Sequence, residues 1–341
     1  MFLNQTTYPV GLQPMSVTVV DVNSDSKPDI VVANSGDNTI GVLLNIGNGT
    51  FRAATNYTTG SNAFSVAVGD VNSDNKPDII VANFGDGTVR VFFNVGNGTF
   101  TNETTYAVGS LPYSVVVADV NSDNKSDIIV ANYGSNNIGV LLNRGNGTFN
   151  AQTNYTAGFS PISVAVGDVN SDNKPDIVVA NNAGSIVSVL LNTGSGTFNA
   201  ATNYTAGPGP QAVAIADVDS DNKPDIVVAN SGDNTVGVLL NAGNGTFNAQ
   251  TEYYAGSNPY SVAVVDVDSD NKPDIVVANY GSTTAGVLIN AGSGTFNYPT
   301  AYAVGNTPYS AVVVDVNSDN KPDIIAVNYG SPYTVSVLFH C

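Results

Sequence analysis

Acidic loops of one repeated pattern carry the residues best suited to chemistry. Each loop reads Asp-x-Asn/Asp-x-Asp-x-Lys-x-Asp, and its first Asp recurs every 49 residues, at Asp21, Asp70, Asp119, Asp168, Asp217, Asp266 and Asp315. Side-chain oxygens at positions 1, 3, 5 and 9, with a main-chain carbonyl at position 7, form the all-oxygen ligand set that a hard cation prefers. We predict calcium, whose flexible shell suits such loops better than the near-octahedral shell of magnesium.

Each loop is a predicted site, so the chain would hold up to seven structural Ca²⁺ ions. The predicted ligands are four side chains and the Lys carbonyl of each loop: Asp21, Asn23, Asp25, Lys27, Asp29, Asp70, Asn72, Asp74, Lys76, Asp78, Asp119, Asn121, Asp123, Lys125, Asp127, Asp168, Asn170, Asp172, Lys174, Asp176, Asp217, Asp219, Asp221, Lys223, Asp225, Asp266, Asp268, Asp270, Lys272, Asp274, Asp315, Asn317, Asp319, Lys321 and Asp323. Asp219 and Asp268 place a carboxylate at position 3, which favours the fifth and sixth loops as the tighter sites. Position 6 is expected in the left-handed αL conformation. Asn tolerates that conformation better than the Ser26 of the first loop.

The net charge belongs to these loops. They contain 23 of the 28 acidic residues and all seven lysines, and the formal net charge is −18. Carboxylates gathered this closely repel one another unless a cation is present. The alternative is a set of Asx-turn hairpins, since Asp and Asn favour turns without any metal.

Composition excludes several classes of protein. One Cys excludes a disulfide framework, and one His excludes a His-based triad or a multi-His metal site. The acidic balance argues against nucleic acid as a partner, and no apolar run is long enough to span a membrane. The first residues, MFLNQTTYP, lack the basic and apolar regions of a signal peptide.

The elements that position the loops are short strands. In the second repeat, Phe64–Val71, Asp78–Asn83, Thr88–Asn94 and Phe100–Ala107 each read as a strand, and no segment has a helical period. Four strands in a 49-residue repeat make one propeller blade. We predict an all-β fold, a seven-bladed β-propeller of four-stranded antiparallel blades.

The repeats define one domain over residues 1–341, and the chain opens on a fourth strand. That N-terminal strand is therefore expected to pair with the C-terminal blade and close the ring. The predicted blades cover residues 11–58, 60–107, 109–156, 158–205, 207–254, 256–303 and 305–341, the last completed by residues 2–9.

The pattern SVAVGDVNSDNKPDIVVAN, followed by GVLLN-x-GNGTF, resembles the FG-GAP/VCBS repeat. That family includes calcium-bearing seven-bladed propellers such as the integrin α-subunit head and some fungal lectins. The resemblance covers essentially the whole chain and implies the fold and calcium, but not the ligand. Two departures are notable: Asn or Ser replaces the usual Gly at loop position 6, and a literal Phe-Gly occurs only at Phe84-Gly85.

The rim opposite the calcium loops varies between repeats and is the predicted ligand surface. Aromatic residues on variable loops suit recognition, although packing between blades is the alternative interpretation. The candidate ligand residues are Tyr113, Tyr133, Tyr260, Tyr280, Tyr309 and Tyr329, with Tyr260/Tyr280 and Tyr309/Tyr329 as the best pairs. A further Tyr, at Tyr8, Tyr57, Tyr106, Tyr155, Tyr204, Tyr253 and Tyr302, is uniform and is expected to be structural.

These features favour a non-enzymatic, calcium-binding recognition or adhesion module for a protein or glycan ligand. A multivalent lectin, a polysaccharide-active enzyme on the same scaffold and a structural spacer remain as alternatives. Millimolar extracellular calcium suits such sites, so we expect a monomeric domain of a larger secreted protein, outside the cell or on its surface. Sequons such as Asn48-Gly49-Thr50 fit a glycoprotein.

Overall fold

The computed structural model describes residues 1–341 except for the side chain of Asn102. Seven four-stranded antiparallel sheets surround one axis, and the innermost strand of each sheet contacts the innermost strands of both neighbours. The fold class predicted from the repeat is confirmed. Among the described residues, no helix is long and apolar enough to cross a membrane.

The innermost strands are rich in small residues, which lets seven of them approach one axis. Neighbouring innermost strands are linked through serine: Ser65 Oγ accepts the N–H of Val115 at 3.1 Å. They span Pro14–Val20, Ala63–Gly69, Pro112–Ala118, Pro161–Gly167, Pro210–Ala216, Pro259–Val265 and Pro308–Val314. In the second blade the strand ends at Gly69 rather than at Val71, because the Asp70 carboxylate folds the following backbone into the acidic loop.

The second and third strands of each sheet form the buried centre of the blade. Every residue of the second strands is buried, since blades cover both of their faces, and their runs of Val and Ile suit that position. The second strands are Asp29–Asn34, Asp78–Asn83, Asp127–Asn132, Asp176–Asn181, Asp225–Asn230, Asp274–Asn279 and Asp323–Asn328. The third are Thr39–Leu43, Thr88–Asn94, Asn137–Leu141, Ile186–Leu190, Thr235–Leu239, Thr284–Leu288 and Thr334–Leu338.

The outer strands are short and polar. They are Thr55–Thr58, Phe100–Ala107, Thr153–Thr156, Thr202–Thr205, Thr251–Tyr254, Thr300–Ala303 and, for the last sheet, Thr6–Pro9. Thr6–Pro9 pairs antiparallel with Thr334–Leu338, with Thr6 opposite Val337. The predicted closure of the ring by the N-terminal strand is therefore confirmed, and it covers an edge that would otherwise be open.

Between the third and outer strands lies a two-stranded ribbon that the sequence of the second repeat did not predict. In five blades the chain forms a separate two-stranded ribbon, whereas in the second blade Phe100–Ala107 runs through without a break. The ribbons are Asn45–Gly47 with Thr50–Phe51, Asn143–Gly145 with Thr148–Phe149, Asn192–Gly194 with Thr197–Phe198, Asn241–Gly243 with Thr246–Phe247 and Asn290–Gly292 with Thr295–Phe296. A single 3₁₀ turn, Asn182–Gly184, stands between strands of the fourth blade.

The hydrophobic core is divided among the blade junctions. Each of seven clusters joins residues of two adjacent blades, as Val178 and Val228 do between the fourth and fifth. Fully burying one such aliphatic side chain stabilises the fold by about 1.5–3 kcal/mol. Packing therefore holds each blade in place through its neighbours, and both rims stand on a rigid support.

Candidate functional site

Two left-handed residues shape every acidic loop. Positions 4 and 6 have φ between 61° and 65° in all seven loops, as at Ser24 and Ser26. The prediction for position 6 is confirmed. Position 4 was not predicted, although it is Ser in each repeat. These kinks turn the backbone around the position 1 carboxylate.

The first Asp of each loop gathers backbone N–H groups. In the first loop, Asp21 Oδ1 accepts from Asn23 and Asp25 at 3.2 Å, and Oδ2 accepts from Ser26 at 2.7 Å. The sixth loop repeats the pattern, with Asn271 donating to Asp266 Oδ2 at 2.8 Å. These hydrogen bonds fix the orientation of the position 1 carboxylate within the loop.

The last Asp of each loop is the buried one. Asp29 accepts the N–H of Val22 at 3.0 Å on Oδ2 and the N–H of Asn45 at 2.7 Å on Oδ1. Burial raises the pKa of the seven position 9 carboxyl groups to about 6, although their backbone hydrogen bonds act in the opposite direction. A buried carboxylate without a cation is costly, so these groups favour either a proton or a metal.

The loop lysines also form ion pairs, which the sequence did not predict. In six loops the Lys ammonium pairs with the position 5 carboxylate of its own loop at 2.5–3.2 Å. The hydrogen bond from Lys223 lowers the pKa of Asp221, and that from Lys272 lowers the pKa of Asp270. In the seventh loop Asn317 Nδ2 donates to Asp319 instead, at 3.1 Å. The lysines partly offset the loop charge and compete with a cation for position 5.

Three carboxylates converge in the fifth and sixth loops. Oxygens of Asp217, Asp219 and Asp225 lie within 4.8 Å of one another, as do those of Asp266, Asp268 and Asp274. In the other five loops position 3 is Asn, so a third carboxylate is replaced by an amide. Hard oxygen donors at this spacing fit a calcium ion. The two loops with a third acid carry the strongest local negative charge.

An Asn at six of the seven blade junctions ties the acidic loops to the ring. Asn94 donates its backbone N–H to Asp78 Oδ1 at 2.9 Å, and its Nδ2 to the Val22 carbonyl of the preceding loop at 2.8 Å. Equivalent Nδ2 contacts run from Asn45, Asn143, Asn192, Asn241 and Asn290. We call these six residues the clamp asparagines. At the seventh position His340 keeps only the backbone bond to Asp323, and its buried Nδ1 has no partner among the described residues.

The acidic loops and the Gly-containing ribbon turns share one rim. Gly98 of the second blade lies against Asn23 of the first, with an added Cβ only 3.4 Å from the Asn23 Cβ. The first acidic loop therefore contacts the ribbon turn of the next blade.

The opposite rim carries an aromatic lining around the axis. Tyr260 stacks on Tyr280 at 4.4 Å, and Phe64 stacks on Phe84 at 4.2 Å in the same arrangement. The second predicted pair, Tyr309 and Tyr329, is tilted at 6.0 Å rather than stacked. We call the residues Phe64, Phe84, Tyr113, Tyr133, Tyr260, Tyr280, Tyr309 and Tyr329 the axial aromatic lining.

Two of these tyrosines meet across the axis. The hydroxyl groups of Tyr113, in the third blade, and Tyr309, in the seventh, are hydrogen bonded to each other. Burial raises the pKa of Tyr113 to about 12 and that of Tyr309 well above its usual value. Above them a funnel of about 340 Å³ is lined by every residue of the axial aromatic lining except Phe64, and by Met15, Ile162, Asn182 and Gln211. All six predicted ligand tyrosines line it, so they both pack together and face an accessible cavity.

The uniform outer tyrosines hold the blades together, in agreement with their predicted structural role. Tyr106 donates its hydroxyl to the Gly147 carbonyl at 3.0 Å and packs edge-on against Phe149 of the next blade at 5.2 Å. Beside such Tyr–Phe pairs lie grooves at three junctions. Two of them, of about 460 and 300 Å³, adjoin Tyr155 and Tyr204.

The family comparison matches most of the chain. A family model described as FG-GAP-like repeat matches residues 21–81, 70–130, 119–179, 168–228, 217–277 and 266–326. No curated protein sequence matches the chain.

Three solved structures with a similar fold are described as different kinds of protein. BBS1N in complex with ARL6DN is 12% identical, with a TM-score of 0.71 over 99% of this chain and 96% of that one. An Agrocybe aegerita lectin, solved for its recognition of non-reducing terminal N-acetylglucosamine, is 21% identical, with a TM-score of 0.61 over 98% and 86%. Virginiamycin B lyase from Staphylococcus aureus, with quinupristin, is 16% identical, with a TM-score of 0.69 over 100% of both chains. At these identities the likeness shows a shared propeller fold alone.

Proposed function

Because this chain belongs to the FG-GAP-like repeat family, we propose that it is a calcium-stabilised, non-enzymatic recognition module. The observation that carries the calcium part is the convergence of three carboxylates in each of the fifth and sixth loops. Position 1, 3 and 9 oxygens would hold the ion there, with the position 7 carbonyl completing the shell. The ion would supply positive charge to a buried carboxylate and fix the loop to the clamp asparagine of its own blade.

The calcium proposal predicts a graded series of sites. Asp219→Asn gives the fifth loop the ligand types of the fourth, and Asn170→Asp gives the fourth loop those of the fifth. Calorimetric titration with calcium should show one tight site weakened by the first change and one weak site strengthened by the second, because each alters one ligand charge. Equal affinities in both variants and the parent would contradict the proposed ligand set.

The recognition part rests on the axial aromatic lining. Tyr and Phe rings supply contact area at a low cost in conformational entropy, and the funnel places them on the rim away from the acidic loops. The propeller neighbour BBS1N was solved in complex with ARL6DN, which supports a protein partner as one form of the ligand. The proposed setting is outside the cell, where calcium is abundant, with the domain itself monomeric.

A capture experiment tests this surface. The calcium-loaded protein, immobilised, would be screened against surface-protein and glycan collections, beside Tyr260→Ala with Tyr280→Ala. The matched control is Phe159→Ala, which removes an exposed aromatic ring that does not line the funnel. Ligands lost only in the funnel variant support this surface, whereas ligands retained by it would assign recognition elsewhere.

A second candidate, a multivalent carbohydrate-binding lectin, is favoured by the junction grooves. Those beside Tyr155 and Tyr204 combine an aromatic edge with amide and hydroxyl side chains, and a repeated groove would give several equivalent sites. The Agrocybe aegerita lectin supports this candidate by its fold and its named sugar. Binding of several glycans per chain, unaffected by the funnel variant, would favour it over the protein-recognition form.

Acids outside the loops support a non-enzymatic function. Asp37 accepts the N–H of Leu12 at 3.2 Å, Asp86 accepts that of Ser61 at 2.7 Å, and Glu103 pairs with Arg90 at 3.3 Å. Each of these acids holds a local contact, and the three contacts lie in separate loops or strands. The experiment against this view is turnover: release of fragments from a polysaccharide by the purified protein would establish an enzyme.

A further inference from the structure

One exposed aromatic pair breaks the sevenfold repeat. At the junction of the fifth and sixth blades, Tyr254 and Tyr298 stack with ring centroids 5.3 Å apart and planes 16° from parallel. Tyr254 is 47% exposed and Tyr298 is 77% exposed. A stack covers one face of each ring, so the exposure of Tyr298 leaves its other face open to solvent.

The corresponding positions elsewhere hold small or polar residues. Those matching Tyr298 are Ala53, Asn102, Ala151, Ala200 and Ala249, and those matching Tyr254 are Thr58, Ala107, Thr156, Thr205 and Ala303. Thr205 and Ala249 line the 300 Å³ groove at the preceding junction. Both aromatic substitutions fall at one junction and meet there, which a packing requirement shared by all seven blades does not explain.

The platform is rigid and carries polar neighbours. Pro299 restricts the backbone of Tyr298 to extended conformations, so less backbone entropy is lost when a ligand orders this segment. Behind the stack, Tyr253 bonds to the Gly294 carbonyl at 3.1 Å and packs on Phe296. Asn297 is adjacent in sequence, and Glu252, which accepts from Gln250 at 3.0 Å, lies two residues before Tyr254.

These features indicate which class of ligand would fit the stack. A flat open ring face buries the apolar C–H face of a pyranose, while amide and carboxylate groups can bond its hydroxyls. None of the ten basic residues is placed to bind an anionic ligand at this junction. Lys223 and Lys272 pair with their own loop acids, and the three Arg lie in the first three blades. No basic side chain is therefore available here to pair with an anionic sugar, so the site favours neutral ones.

We propose that Tyr254 and Tyr298 form a binding platform for neutral pyranose glycans at the junction of the fifth and sixth blades. The proposal rests on the recognition function above and names a second surface for it, separate from the axial funnel. The site is single, unlike the repeated grooves, because only this junction carries both tyrosines.

Saturation-transfer NMR and calorimetry on the calcium-loaded protein would test it. The probes are neutral oligosaccharides of glucose, galactose, mannose and N-acetylglucosamine, with polygalacturonate as an anionic probe and a polyproline peptide as a non-sugar probe. The test variant is Tyr254→Thr with Tyr298→Ala, which reproduces Thr205 and Ala249 of the preceding junction and is therefore compatible with the fold. The control is Phe159→Ala, which removes another exposed aromatic ring.

We expect a neutral oligosaccharide to bind with one site per chain, and binding to weaken at least about tenfold in the test variant but not in the control. The reciprocal change, Thr205→Tyr with Ala249→Tyr, should add a second site. Unchanged sugar binding in the test variant would overturn the platform while leaving recognition intact. Absence of millimolar binding to any neutral probe, or preference for polyproline or polygalacturonate, would overturn the ligand class. Calcium titration and funnel-dependent capture are read separately, so their failure would count against the proposed function instead.

Discussion

The Nδ2 of Asn192 lies 2.8 Å from the carbonyl oxygen of Val120, 72 residues earlier in the chain and in the acidic loop of the preceding blade. The same Nδ2 donates to the Pro175 carbonyl at 2.8 Å, and the backbone N–H of Asn192 donates to Asp176 at 2.7 Å. One side chain thus joins two neighbouring loops and a buried carboxylate. This makes each loop part of a ring-wide network rather than an independent turn.

Removing a clamp asparagine should destabilise the whole propeller. Asn192→Ala leaves the buried Val120 carbonyl and the partly buried Pro175 carbonyl without their donor, which should lower the free energy of unfolding by about 2 kcal/mol. Chemical denaturation monitored by tyrosine fluorescence measures it. Asn199→Ala, on an exposed residue at the same junction of the third and fourth blades, should change stability by less than about 0.5 kcal/mol. Equal effects of the two changes would show that the clamp contributes nothing special.

The last junction offers the reverse experiment. His340 occupies the seventh clamp position without the side-chain contact that the six asparagines make. His340→Asn should supply an amide donor for the Val267 carbonyl and raise the free energy of unfolding by about 1 kcal/mol. A neutral or destabilising result would mean that the chain ends near residue 340 do not adopt the geometry of the other junctions.

The tyrosine pair on the axis predicts strong coupling between two residues in opposite parts of the ring. Tyr113→Phe or Tyr309→Phe alone should cost about 1–3 kcal/mol, because the remaining buried hydroxyl loses its partner. The double variant should cost clearly less than the sum, since both polar groups are then gone. Additive effects in this double-mutant cycle would contradict the contact across the axis.

The buried loop acids predict how stability depends on pH. Their pKa of about 6 in the folded state exceeds the ordinary value of 3.8, so the folded chain retains protons that the unfolded chain has released. In a chelator, stability should therefore be highest near the ordinary pKa and fall as the pH rises through about 6. The lowered pKa values of Asp221 and Asp270 act the opposite way, but in solvent-exposed groups.

Calcium should change this profile, because the ion replaces the proton on the same carboxylates. The gap in melting temperature between calcium-loaded and chelated protein should widen from pH 5 to about pH 7. Melting curves across that range, with and without a chelator, measure the gap. A gap that stays constant with pH would mean that the buried acids take no part in metal binding.

Much of the architecture follows from local pattern. The 49-residue period, the alternation of short apolar runs with turns and the unpaired opening strand are sufficient to predict seven blades and their closure. The αL conformation at Asn75 could be predicted because it depends on nearby backbone alone. These features are set by neighbours a few residues away or by repetition itself.

Other features depend on contacts between distant parts of the chain. The clamp role of Asn94 could not be predicted from the sequence, because an Asn that recurs near the end of the third strand resembles an ordinary turn residue. The pairing of Lys76 with Asp74 depends on a side-chain rotamer that the spacing does not specify. The contact of Tyr113 with Tyr309 exists only once the ring is closed and two nonadjacent blades face the same axis. Ring closure determines the clamp and the axial contact, whereas the Lys76–Asp74 pair is a local contact that depends on its rotamer.

The most direct test of the account is a metal count on the purified protein joined to thermal unfolding in excess calcium and in a chelator. We predict several bound calcium ions per chain and a large drop in melting temperature on chelation, because binding to the folded state alone stabilises it by mass action. No bound metal and superimposable melting curves would contradict the account, and the seven acidic loops would then be turns alone.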